Sequence, residues 1–587
     1  MRINRGWIFA LLAAIMLCLG GCEEKDTGGV TLQYTPLYKY DINAGMVTGT
    51  ADNIEAVVDG EEVTLSARAN EGYTFIGWTT GDYLEFYGEL VSEDAEFTFV
   101  KNGQTKYYAN FLAENQVIVC YYANGGTMRH DEAKDGRLIQ KISLNKHRYP
   151  MTFPQNGTFS REGYVLTEYT SEADGSGTVT NIGQRVFSDS KIIHLYAQWA
   201  KETDADAFVF EDRNGEVFVA SYSGKDEVLT IPAQHNGKPV TGIASNAISS
   251  ENLKTVVLPE TITTIEEGAF TECTALHTLY LYDTVSEMTD KSFSNCPIAQ
   301  VCLNSVYEKK YYAEGAGKLE LLYSQRNAQV PKLIIVSGSS GIYSVDSNRM
   351  EEALTRDLDV VNFALQIGIP SSFSMRILED YLKAGDIVLM APECEFKQFG
   401  NELTTTTFVK FDGAYTCIRN VDLRAYSSFF NALAAYSMAK EYDSESLHNE
   451  VDQYYEENGD AANNNESQAF PATYTFRSPT ERTEMTAETY GRINTAIALL
   501  NQKGVDVYLT FAPFCTEACE DEVTEDMLDA YSQTLAENLN VTCISSQSAH
   551  DYAMKYFFEM FHMTAEGKQL RTEQLITELN AHFAQGA

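Results

Sequence analysis

Two groups of residues in this 587-residue chain have the types and spacing for acyl chemistry. The first is Ser339-Ser340, which follows the apolar run Leu333-Ile334-Ile335-Val336 and precedes Gly341. The second is Glu559-x-x-His562, where a carboxylate three residues ahead of a histidine can share its face at a turn or helix start. A serine hydroxyl is a weak nucleophile at its free pKa. It needs a base within hydrogen-bond reach and a third group to orient that base. An ordinary strand running into a turn of small residues would also read Ser-Gly-Ser-Ser-Gly. The elements that carry these residues therefore decide how much weight they bear.

From residue 331 onward the pattern alternates strand and helix. Continuous apolar runs, of the kind a parallel strand buried on both faces requires, occur at 333–336, 358–363, 385–390, 505–511 and 541–544. Helical patterns lie between them at 350–355, 375–382, 489–503 and 523–539. This order predicts a doubly wound α/β layer structure, whose sites form beyond the carboxyl ends of the strands. Ser339 and Ser340 stand at such an end. Residues 397–486 interrupt the alternation with an aromatic helical stretch (425–442) and then the polar stretch 456–467, and read as an inserted helical lid or substrate-binding subdomain.

Residues 331–587, without that insertion, resemble the SGNH/GDSL hydrolases. Gly338-Ser339-Ser340 stands where the family has Gly-Asp-Ser, which puts Ser340 at the nucleophile position. Val361-Asn362-Phe363-Ala364 with Gly368 resembles the second block, and Leu382 to Leu389 the strand of the third. Glu559-Met560-Phe561-His562-Met563-Thr564 resembles the final Asp-x-x-His block. The resemblance implies Ser340 as nucleophile, His562 as base and Glu559 as its orienting acid. Gly368 and the Ser340 amide would be oxyanion donors and Asn362 a helper. It implies no metal and no cofactor. The chain departs from the family at Ser339 and at Glu559. It departs again at Ala391-Pro392-Glu393-Cys394-Glu395, which stands where the family has its oxyanion asparagine.

The chain before residue 331 is modular. Glu71-Gly72-Tyr73 through Trp78 recurs as Glu162-Gly163-Tyr164 through Tyr169, and each copy closes on an aromatic strand, 107–111 or 195–199. The period predicts two copies of one small β unit, at 35–113 and 114–201. The second resembles the internalin-type B repeat through Tyr122-Ala123-Asn124-Gly125-Gly126-Thr127 and Tyr196-Ala197-Gln198-Trp199, and the first is its divergent version. From 205 to 305 a 23-residue period appears: Val256-Val257-Leu258 and Cys273 answer to Leu279-Tyr280-Leu281 and Cys296. A fixed period marks a solenoid whose units cannot bury their apolar faces alone. Leu258-Pro259-Glu260 through Leu276 resembles the BspA-type leucine-rich repeat, which implies protein or glycan ligands on its exposed face. The repeated cysteines suit either a buried ladder or a disulfide between coils. Cys515 and Cys519 are open in the same way. Residues 306–330 read as a linker.

Charge and the N-terminus bound the setting. With 83 acidic against 43 basic side chains the net charge is −40, which argues against nucleic acid or an anionic surface as a bulk partner. Arg2 and Arg5 precede an apolar run, 7–19, that is short for a membrane span. It ends in Leu19-Gly20-Gly21-Cys22, which resembles a bacterial lipoprotein signal, with Cys22 the lipid attachment site and 23–34 a tether. The expectation is thus a membrane-anchored, extracytoplasmic surface protein. On one reading it is an esterase or acyltransferase acting on O-acyl, chiefly O-acetyl, groups of envelope or extracellular glycans. On the other it is a non-catalytic binding protein in which the repeats hold a surface protein or glycan and the α/β part is scaffold.

Overall fold

The computed structural model describes residues 38–585 apart from 51–56, 81–88, 104–105, 145–147, 154–156, 308–312, 366–367, 395, 443–457, 462–474 and 560. The signal segment, Cys22 and the tether lie outside the described residues. Contacts divide the chain into two units. The first holds Met1–Cys120, Leu138–Asn145 and Ser190–Ile193. The second holds Tyr121–Arg137, Lys146–Asp189 and His194–Ala587.

The first unit contains two small sheets, antiparallel except where Tyr38–Lys39 runs parallel to Tyr107–Ala113. Glu62–Ala69 pairs with Gly45–Gly49 on one side and Glu96–Val100 on the other, while Tyr73–Thr79 pairs with Tyr107–Ala113 and Leu90–Ser92. Alternation puts Val63 and Leu65 inward against fully buried Trp78, whose indole N–H donates to the Asp94 carbonyl at 3.1 Å. Trp78 is thus core.

In the second unit Tyr164–Thr170 pairs with residues 196–201. Its register breaks between Leu166 and Glu168, just as the first module breaks between Phe75 and Gly77. The two pairs share a bulge at the corresponding place. Trp199 donates to the Ala123 carbonyl at 2.9 Å, and a Cβ on Gly126 would come within 2.5 Å of its ring.

The solenoid stacks Val228–Thr230, Thr255–Val257, Thr278–Tyr282 and Gln300–Asn304 as one parallel ladder, with Val256, Leu279 and Val301 in register. Its first coil is covered by the antiparallel hairpin Phe208–Arg213 and Glu216–Tyr222. Its last coil is covered by the β module. Asn304 Nδ2 donates to Thr167 O at 2.8 Å, Tyr282 Oη to Leu166 O at 3.0 Å, and Asn181 Nδ2 to Leu303 O at 3.0 Å. The last of these bonds satisfies a carbonyl of the terminal coil, and the first two satisfy carbonyls of the module at its bulge. Cys273 and Cys296 are free thiols, with Cys273 buried and Cys296 partly so. Cys515 and Cys519 are free as well.

The C-terminal part is an α/β layer. Its five parallel strands are ordered Asp359–Asn362, Lys332–Ser337, Ile387–Ala391, Asp506–Leu509 and Thr542–Cys543. Helices Ser371–Leu378, Ala487–Gln502, Glu525–Asn538 and Ala565–Gln585 accompany them. The strand order reverses beside Lys332–Ser337, so the crevice for a site lies between the carboxyl ends of Lys332–Ser337 and Ile387–Ala391.

Two expectations are corrected. Residues 314–325, read as linker, form a helix that buries Leu319 and Leu322 together with Glu314, Lys318 and Glu320. Glu314 Oε2 meets Lys410 Nζ at 2.7 Å and Oε1 meets Lys318 Nζ at 3.2 Å, so the buried charges are paired. The described part of the 397–486 insertion is a bridge rather than a lid. Phe430 packs on Phe293 at 4.5 Å between ring centroids, Leu423 N donates to Ala299 O, and Arg419 pairs with Glu168. One apolar core consequently runs from the solenoid into the α/β layer.

Candidate functional site

The turn after Lys332–Ser337 is shaped by two close approaches. A Cβ on Gly338 would lie 2.5 Å from the Glu393 carboxyl, and one on Gly341 would lie 2.7 Å from the Cβ atoms of Ala364 and Ser337. Neither glycine has a positive φ. Space, rather than backbone strain, selects both. The chain then enters the short helix Ser339–Ser344.

A helix advances about 100° per residue, so two adjacent serines cannot face the same group, whereas residues four apart can. Ser339 and Tyr343 share a face, and that face meets His562. Ser339 Oγ lies 2.8 Å from His562 Nε2, and the Tyr343 ring lies 4.5 Å from the imidazole, tilted by 38°. Ser340 is fully buried and points elsewhere, with its Oγ 3.2 Å from Ser337 Oγ. Ser337 Oγ donates to the Ala391 carbonyl, which makes Ser340 the donor of that pair. The serine within reach of His562 is therefore Ser339 and not Ser340. Ser340, the expected nucleophile, is thus turned away from His562, because spacing along a chain does not report helix phase.

His562 and Glu559 close a tight hairpin, Phe557–Glu559 against His562–Met563, in which the two residues are cross-strand partners. Glu559 Oε2 lies 3.0 Å from His562 Nδ1. A carboxylate only accepts, so Nδ1 carries the proton and Nε2 is left to accept from Ser339. Burial pushes the imidazole pKa below its ordinary value, against the opposing pull of Glu559. Phe558 packs at 5.8 Å on the same ring.

The expected oxyanion groups are engaged elsewhere. Asn362 Nδ2 donates to Gly341 O at 2.9 Å and to Asp460 Oδ1 at 2.7 Å, and its Oδ1 accepts from Ala364 N. An amide has two N–H bonds, so none remains for an oxyanion. Among the described contacts, Gly368 meets Thr404 and Thr406 rather than Ser339. The Ser340 amide donates to Glu393 Oε1 at 2.7 Å.

Asp460 is a residue that sequence reasoning missed. It lies in the stretch read as polar insertion, yet it is fully buried behind the Ser339 turn. It accepts from Ser347 N, Ser347 Oγ and Asn362 Nδ2 at 2.6–2.8 Å, and burial raises its pKa above the usual carboxylate value. Ala461 N donates to Ile342 O, and Asn362 N to Asn458 O. Residues 458–461 thus buttress the Ser339–Ser344 helix. The only hint in the sequence was a Gly-Asp inside an Asn-rich run, which elsewhere reads as a turn.

Comparison with known proteins reaches the repeats. Residues 237–313 match the BspA type leucine rich repeat region, in six copies, and residues 38–115 match the divergent InlB B-repeat domain. The B-repeat match thus falls on the first module, which the sequence reading took for the more divergent copy. No curated protein matches the chain. Among solved structures, the Treponema (T.) pallidum leucine rich repeat protein is 17% identical. The match covers 32% of this chain and 71% of that one, with a TM-score of 0.17. A leucine rich cell surface protein of Faecalibacterium prausnitzii A2-165 is 16% identical over 32% of this chain and 44% of that one, with a TM-score of 0.13.

Proposed function

We propose that this chain is an extracytoplasmic surface protein, held at the membrane by lipid on Cys22, whose α/β part is a serine esterase or acyltransferase of SGNH type. Its substrates are O-acyl, chiefly O-acetyl, groups of envelope or extracellular glycans. That substrate class comes from the family resemblance. The single observation that carries the enzymatic reading is the run Ser339 Oγ, His562 Nε2, His562 Nδ1, Glu559 Oε2, at 2.8 and 3.0 Å. In the proposed reaction Ser339 Oγ attacks the ester carbonyl carbon and passes its proton to His562 Nε2. The same proton goes to the departing sugar oxygen as the C–O bond breaks, leaving an acyl-Ser339. Water, or a second hydroxyl in a transfer, then attacks the acyl carbon and gives its proton to His562 Nε2, which passes it to Ser339 Oγ as the acyl–Ser339 bond breaks. The BspA-type coils and B-repeat modules would engage a protein or glycan partner.

A second reading, a binding protein with an inactive α/β scaffold, is favoured by one observation. The Glu393 carboxylate occupies the amide beside Ser339. The deciding experiment is labelling of the full chain by a fluorophosphonate probe, with Ser339→Ala and Ser340→Ala variants. The esterase reading expects Ser339→Ala to abolish labelling and Ser340→Ala to retain it. Labelling absent from the full chain and from both variants supports the binding reading, and labelling lost only in Ser340→Ala moves the nucleophile to Ser340.

A further inference from the structure

Glu393 lies two residues beyond the strand Ile387–Ala391, at the carboxyl end next to that of Lys332–Ser337. Its side chain is fully buried. The helix Ser339–Ser344 has Gly338 as its N-cap and therefore no capping side chain of its own. Glu393 Oε1 supplies the missing acceptor from across the crevice, 2.7 Å from Ser340 N. Gly338 leaves room for that carboxyl and no more. Glu393 N donates to Gln398 Oε1 at 3.1 Å, which ties the backbone behind it. The carboxylate thus holds the turn from which Ser339 reaches His562.

The same contact has a second consequence. In strand–turn–helix serine sites the amide after the nucleophile is an oxyanion donor. Here that amide is Ser340 N–H, and an acid accepts its hydrogen. An N–H serves one strong acceptor at a time, so this bond competes with one to an oxygen that develops charge on the substrate.

We propose that Glu393 both aims Ser339 and restrains it: its buried carboxyl caps the nucleophile turn while occupying the amide that would otherwise stabilise the oxyanion. The proposal rests on the serine-hydrolase reading above and concerns regulation of that site. Glutamine keeps an oxygen to accept the Ser340 N–H but cannot ionise, and a neutral acceptor yields that N–H to an oxyanion more readily than a carboxylate does, whereas alanine drops the acceptor altogether. The two substitutions should therefore act in opposite directions, which a purely structural role would not produce.

The test measures p-nitrophenyl acetate hydrolysis and fluorophosphonate labelling of the full chain as wild type, Glu393→Gln and Glu393→Ala, each with and without Ser339→Ala. The expected result is a Ser339-dependent kcat raised about tenfold or more in Glu393→Gln, the scale being set by the roughly 100–1,000-fold worth of one oxyanion donor. Labelling should be slowed by a similar factor in Glu393→Ala. Thermal melting checks that each variant folds. If the alanine form does not, the glutamine form alone decides. Glutamine falling together with alanine, or leaving kcat unchanged, overturns the proposal while Ser339-dependent labelling keeps the hydrolase reading. No Ser339-dependent signal in either wild type or Glu393→Gln overturns both.

Discussion

Ser339 Oγ and His562 Nε2 stand 2.8 Å apart across 223 residues of sequence, while the neighbouring Ser340 turns its hydroxyl back to Ser337. Only the neutral imidazole can take the serine proton. Burial favours that form and moves the His562 pKa below 6.5, and Glu559 opposes the shift. Ser339 labelling should therefore rise with pH through a midpoint below 6.5 and be level at neutral pH. Glu559→Gln should move the midpoint further down and slow labelling about tenfold or more. A pH profile of labelling on both forms checks this.

Asp460 joins Ser347, Asn362 and, through Asn362, the carbonyl of Gly341. Replacing it by alanine leaves buried donors unpaired, each worth about 1–3 kcal/mol. Asp460→Ala is expected to destabilise the second unit by about 3 kcal/mol and to slow Ser339 labelling, while Asp460→Asn, which keeps an acceptor, loses less. Chemical denaturation beside labelling rates measures both.

Arg185 and Glu320 form an ion pair at 3.5 Å with side chains 5% and 2% exposed, and Glu320 also accepts from Tyr149 N at 3.0 Å. Breaking one member of such a pair typically costs about 3–5 kcal/mol because the other charge stays buried. Glu320→Ala should lower the melting temperature and open Lys146–Asp189 to limited proteolysis. The double change Arg185→Met with Glu320→Leu should recover most of the loss.

His550 is fully buried and receives Arg571 Nη1 at its Nδ1, 2.6 Å away. Glu578 lies 3.3 Å from Nε2, yet burial and the Arg571 charge prevail and hold the pKa down to about 4. Between that value and 6.5 the unfolded chain binds a proton that the folded chain does not. The stabilisation by neutral His550 is complete above 6.5 and lost as pH falls toward 4, on the order of 3 kcal/mol in all. His550→Gln should flatten this part of the stability–pH curve measured by denaturant titration.

The repeats and the α/β alternation could be read from the chain because both are periodic and local. A 23-residue period, an aromatic strand closing each β module and apolar runs bounded by Gly and Asp survive without any neighbour. Those readings gave the solenoid, the paired β units and the five strands within a few residues. The roles of single residues depended on contacts that no period encodes. Helix phase assigns His562 to Ser339 over Ser340, and a hairpin brings Glu559 to His562. The 314–325 stretch became a buried helix because its charges find Lys410 and Arg185 from distant segments, and Asp460 became a hub because Ser347 and Asn362 converge on it. The sequence by itself determined the periodic elements, since propensity and apolar spacing act over a few residues. Only the tertiary structure decided which hydroxyl, amide and carboxyl meet, since burial and hydrogen bonding are settled between segments hundreds of residues apart.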